Sequence, residues 1–317
     1  MAHSYTGGVL LSGLLFMLAT WLPATAHDLR TATPWTDKFD TVSDKVMSNF
    51  APLAYSEKAI NADMSPRISE KLFKWEGPIE VVIAGIEAPK EIAEIRRWLD
   101  RLGRVYPDRI SIVPAVTPRT NIVFVLKSER YGEDMRDDLQ QVLTAKYKSA
   151  IPYYPNWKTD YCQVHLFSRD ITKVRPWLLL SSVWKTIPKN KHPVDLIVVA
   201  IHANFDGLEP QRFTQETRNL FRTSCIAEET LHALTGWQDI PDAERHSTML
   251  NSGSRKEDRG KKGLEAEAAM KRQVNVPTEA DILAMRVLYD NRLRRGMTES
   301  EARPVVTEIL SGIQNAP

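Results

Sequence analysis

Short apolar runs alternate along the chain with longer stretches in which apolar residues recur at helical spacing, and that alternation predicts most of its elements. The run from Pro78 to Ala84 is β-branched and bounded by Gly77 and Gly85, the pattern of a strand. Pro89 then stands where a helix starts, and Ile92, Ile95, Leu99 and Leu102 follow at helical spacing. Ile110–Val113 and Asn121–Leu126 read as two more strands, and Glu133–Tyr147 as a second, more polar helix. Tyr161–Phe167 alternates like a half-buried strand, whereas Val194–Ala200 is apolar throughout. Pro210–Thr235 predicts a long helix stopped by Gly236. This order suits an α+β single domain, a mixed β-sheet with helices packed on it.

The rest of the chain is less regular. Residues 31–70 are weakly periodic, with Phe39, Val46 and Phe50 scattered among polar residues, and read as a leader that packs on the domain. Two prolines exclude a regular element at Ile151–Trp157, and Val174–Trp184 reads as an inserted strand or an apolar hairpin. Residues 251–276 carry seven Lys or Arg and four Asp or Glu, the composition of a solvated loop. Thr278 followed by Asp281 has the form of a capping box, with Ile282, Met285, Leu288 and Tyr289 as the buried face of the helix it opens. Thr298 and Glu301 repeat that arrangement before a last helix. His165 and His202 fall in strands, where lone histidines are mostly structural.

The first 26 residues change the picture. They run through the apolar Val9–Leu18 and close on Ala24-Thr-Ala26, the form of a cleaved signal peptide. The expected organisation is therefore a signal peptide over 1–26, a leader over 27–74 and a domain over 75–317, in a periplasmic or secreted protein with no integral membrane span after cleavage. A net charge of +2 on 317 residues suggests no nucleic-acid partner. Two cysteines, Cys162 and Cys225, in an oxidising compartment favour one disulfide over free or metal-bound thiols. It would tie the helix of Cys225 to an earlier strand and close a loop of roughly 64 residues, worth about 4 kcal/mol in the loop-entropy account.

That helix holds the candidate chemistry. Residues four apart stack on one helical face, so Glu228 and His232 point the same way, with Glu229 rotated by about 100°. Ala227, Leu231 and Leu234 fill the neighbouring face, so the apolar stripe is expected against the core and the polar stripe toward a cleft. The sequence Glu-Glu-x-x-His differs from the zinc-helix pattern His-Glu-x-x-His by a carboxylate in place of the first ligand. An ordinary amphipathic helix with exposed acids and one tucked histidine is the plainer reading of the same letters.

Two resemblances add to this reading. Cys225-Ile-Ala-Glu-Glu229, Asp239 and the run Leu288–Met297 resemble the bacterial family catalogued as domain of unknown function 2927, over roughly residues 75–310. That family usually has Gln at the position of His232, and proline at those of Asn291 and Arg295. The order of parts also resembles the metzincin branch of zinc peptidases: Glu228–His232 as the zinc helix, Ser247-Thr-Met249 as the methionine turn, then Asp281–Tyr289 as a helix ending in Leu-Tyr. Gln238 stands where metzincins have a third histidine, and Gly236 falls one residue later than their glycine.

The metzincin resemblance implies a zincin-like fold with zinc held by Glu228, His232 and a third ligand from Asp239, Asp242 or His246. Glu229 would be the general base and Met249 packing beneath the metal. Two carboxylates and one imidazole neutralise zinc, so bound water is acidified less than with three histidines and activity is expected to be absent or slow. The alternatives are a non-catalytic module that binds a peptide or cell-envelope polymer, and a structural envelope protein.

Overall fold

The computed structural model describes residues 39–55, 71–106, 109–127, 133–148, 162–167, 194–207, 213–237, 239, 248–250, 265, 268 and 276–314. The segments 1–26, 151–157 and 174–184, and nearly all of 251–276, lie outside them.

Among the described residues five strands form one sheet: β1 (Ile79–Gly85), β2 (Ile110–Ile112), β3 (Ile122–Lys127), β4 (Cys162–Phe167) and β5 (Leu196–His202). Their order is β2-β1-β3-β5-β4. The first three and β5 are parallel, and β4 closes one edge antiparallel to β5. The sheet is mixed, as the pattern predicted.

Neither β3 nor β5 alternates with polar residues because both faces are covered, as parallel sheets require. On one face Val123, Val125 and Val198 pack with Val142 and Leu143 of α3 (Glu133–Tyr147). On the other, Ile122, Phe124, Leu126, Ile197, Val199 and Ile201 enter the main core with helices α2 (Pro89–Gly103) and α4 (Gln215–Thr235). At the end of β1 the backbone of β3 comes so close that a Cβ on Gly85, at φ +99°, would lie 2.1 Å from the Leu126 carbonyl oxygen. Glycine alone is tolerated there.

The stretch read as a leader contributes more than its composition suggested. Residues Phe39–Tyr55 form helix α1, whose Val42, Val46, Phe50 and Leu53 are buried in the main core. It packs against α5 (Glu279–Leu288) and α6 (Glu299–Gln314). Its helical stripe is diluted by the polar residues between, so the period is weak until the partners are in place.

Further along, Leu72 exchanges backbone hydrogen bonds with the turn after α5, its N–H donating to the Met297 carbonyl at 2.7 Å and its carbonyl accepting from Gly296 at 2.8 Å. Lys74, buried, donates to the carbonyls of Asp290 and Leu293 at 3.0 and 2.9 Å. The run Leu288–Met297 thus docks onto residues 72–74.

Helix α4 starts at Gln215 rather than Pro210, because the Thr214 side chain caps it by accepting from the Thr217 N–H at 3.2 Å. The capping box at Thr278 and Asp281 is present. Cys162 and Cys225 meet at disulfide distance, with α-carbons 5.9 Å apart, joining β4 to α4. Among the described residues no helix is long and apolar enough to cross a membrane.

Candidate functional site

Helix α4 is fastened at three levels before it reaches its polar residues. In its first half Arg222 is buried, and its Nε donates to Glu91 at 3.0 Å on the first turn of α2. Its Nη2 reaches Asp206 on the short 3-10 turn Phe205–Gly207. One turn later the Cys225 disulfide holds the helix to β4. From Ile226 to Leu231 every residue is buried.

The expected polar stripe facing an open cleft is therefore corrected: Glu228 is 6% exposed and Glu229 9%. The reason is packing, since α2, β4, β5 and the 3-10 turn all lie against this helix. The sequence pattern of one apolar stripe could not show that the opposite side was also covered.

The C-terminal turn orients the imidazole. Gly236 takes the left-handed conformation at φ +67°, and a Cβ there would lie 2.2 Å from the Phe73 ring, so glycine is required for the turn and for the contact. This reversal brings the Trp237 carbonyl to 2.7 Å from His232 Nδ1. A carbonyl only accepts, so Nδ1 carries the proton. Nε2 faces Asp239, whose Oδ1 is 3.4 Å away. Burial pulls the His232 pKa down, but the Asp239 carboxylate, helped by the charges of Glu229 and Glu228, more than reverses this and the pKa is pushed up to about 10. Nδ1 thus makes the ring's hydrogen bond, while Nε2 stands at ion-pair distance from Asp239.

Glu228, His232 and Asp239 each offer a ligand atom, and these atoms lie within 4.8 Å of one another. Of the three residues weighed as a third ligand, Asp239 is brought to the other two, while Asp242 and His246 lie outside the described residues. Glu229 is not in that group of three, although its charge acts on His232. Two carboxylate oxygens and an imidazole nitrogen around one point suit a divalent cation, zinc included.

Met249 is buried in the main core. Its N–H donates to Asp281 Oδ2 at 2.9 Å, and Thr248 Oγ1 donates to Asp281 Oδ1 at 2.5 Å. The capping pattern identified Asp281 as the partner of Thr278. Nothing in the linear pattern marked it as the anchor of residues 248 and 249 as well. The Nδ1 of His202 accepts from the Asn204 N–H at 2.9 Å.

Compared with protein-family models, with curated proteins and with solved structures, the chain matches none.

Proposed function

We propose that Glu228, His232 and Asp239 bind zinc, and that the chain is a periplasmic or secreted zincin-like protein with weak zinc-dependent peptidase activity. The observation that carries this reading is the convergence of three ligand atoms within 4.8 Å, from one helical turn and the loop after it. The hydrogen bond between His232 Nδ1–H and the Trp237 carbonyl supports it, because zinc-binding histidines use such a bond to present the other nitrogen to the metal. Zinc would supply Lewis acidity toward an amide carbonyl and toward water. Glu229, adjacent to the ligand Glu228, would accept the proton released when water attacks. Two carboxylate ligands and an enclosed setting both favour slow turnover over fast. The disulfide and the apolar run Val9–Leu18 fit an oxidising compartment outside the cytoplasm. A peptide or a peptide-bearing cell-envelope polymer is the substrate class that follows.

The test is metal analysis of protein purified from the periplasm, with zinc titration against a chromophoric chelator. The wild type takes up about one equivalent, and Glu228→Gln and Asp239→Asn lose it. A wild-type content below about a tenth of an equivalent, with no uptake on titration, ends the reading.

One observation favours a second reading. Both ring nitrogens of His232 have partners within the protein, at Trp237 and Asp239, so the cluster can serve as a closed polar lock. The chain would then be a non-catalytic binding or structural module of the envelope, and zinc would leave it unchanged.

A further inference from the structure

The last four carbonyls of an α-helix have no partner within the helix. In α4, which ends at Thr235, three of these four accept hydrogen bonds: those of His232, Ala233 and Leu234. His232 O accepts from the Gly236 N–H at 2.7 Å, and just before it Leu231 O accepts from Thr235 Oγ1 at 2.7 Å. The other two are taken by residues remote in sequence. Trp75 Nε1 donates to Ala233 O at 2.9 Å in a buried bond, and Tyr289 Oη donates to Leu234 O.

Both rings are braced by other aromatic rings. Tyr289 stacks on Tyr106 with centroids 4.2 Å apart, and Trp75 meets Phe73 edge-on at 5.0 Å. Phe73 is also the ring against Gly236. Burial and the neighbouring Tyr106 keep the proton on the Tyr289 phenol, so it stays a donor across the working pH range. A helix end normally frays. This one is clamped on the turn that carries His232 and leads into the Trp237 carbonyl.

We infer that Trp75 and Tyr289 are positioning residues for His232, acting through the last turn of α4 and the Trp237 carbonyl rather than by touching the imidazole. Volume alone does not call for a Tyr and a Trp at these places, since Phe would fill much of the same space. What the O–H and N–H add is direction, because each fixes one carbonyl of the turn. With the turn fixed, Trp237 O stands at hydrogen-bond distance from His232 Nδ1, and Nε2 is left facing Asp239. The significance of that aim rests on the zinc reading, but the aim itself does not.

The experiment uses the full mature chain and three variants. Tyr289→Phe and Trp75→Phe each remove a donor while keeping a ring. Val198→Ala is a stability control in the smaller core cluster, on the sheet face that packs with α3. Nitrogen-detected NMR of the His232 ring in metal-free protein reads the Nδ1–H directly. In Tyr289→Phe and Trp75→Phe this proton exchanges with solvent about tenfold faster, the scale set by losing one buried hydrogen bond, and its resonance moves upfield. Zinc affinity falls by about the same factor, while Val198→Ala changes neither measurement. An Nδ1–H unchanged in both ring variants, or one perturbed equally by Val198→Ala, overturns the inference. Absence of zinc uptake by the wild type would end the metal reading alone, because the ring measurement needs no metal.

Discussion

Asp281 offers the sharpest quantitative test, because its two oxygens accept from four donors whose geometry is known. Oδ1 takes Thr248 Oγ1 at 2.5 Å, and Oδ2 takes Met249 N at 2.9 Å, both in buried bonds. Oδ2 also takes Thr278 N at 2.8 Å and Thr278 Oγ1 at 2.9 Å, where solvent reaches part of the contact. Asp281→Ala leaves two buried donors without an acceptor, at about 1–3 kcal/mol each, and two half-buried donors that water can partly serve. The expected loss is about 3–6 kcal/mol.

Asp281→Asn should cost much less, about 1–2 kcal/mol. Its amide oxygen can stay where Oδ2 is and keep three bonds. Its NH2 then faces Thr248 Oγ1, which can turn and accept. Urea denaturation followed by tryptophan fluorescence measures both variants, at constant slope. Burial pushes the Asp281 carboxyl above its usual range against the pull of its hydrogen bonds. The ionised form is thus relatively costlier in the folded chain, so this group's contribution is favourable below the unfolded pKa and is lost as pH rises through the folded one. The Asn variant lacks that dependence. If Ala and Asn cost the same within about 1 kcal/mol, the reasoning from acceptor geometry is wrong.

Four other outcomes follow from the structure. Because the metal-free His232 pKa is pushed up to about 10, zinc must displace a proton, so apparent affinity rises about tenfold per pH unit between pH 6.5 and 8.5, and a flat profile removes His232 as a ligand. In the same metal-free protein the ion pair's stabilisation is full below about pH 6.5 and fades as pH climbs through 10, seen as a falling Tm. Replacing Cys162 and Cys225 together by Ser frees a link spanning 63 residues and lowers unfolding stability by about 4 kcal/mol in urea titrations; a loss under about 1 kcal/mol contradicts the loop-entropy account. Arg222→Ala strands Glu91, 4% exposed, and costs about 3–5 kcal/mol, whereas Arg222→Met paired with Glu91→Leu recovers most of it by the same measurement.

The elements were legible where a local period reported them. The β-branched runs at 79, 122 and 196 became strands, and the Gly236 stop and the Thr278 cap fell where their side chains required. Glu228, Glu229 and His232 were identifiable because a helix fixes the spacing of their side chains. Helix α1 was missed because Val42, Val46, Phe50 and Leu53 stand out only once α5 and α6 cover them.

The sequence by itself determined which backbone conformations were affordable and which acids and imidazole share a helical turn, since both depend on neighbours within a few residues. Tertiary structure alone decided that Asp239 approaches His232, that Glu228 and Glu229 are enclosed, and that Trp75, Asp281 and Tyr289 hold the turns around them. Those outcomes depend on which surfaces close over which. Asp239 lies in the loop just past the helix, but Met249 and Asp281 are 32 residues apart and Trp75 and Ala233 158, beyond the reach of any helical or strand period.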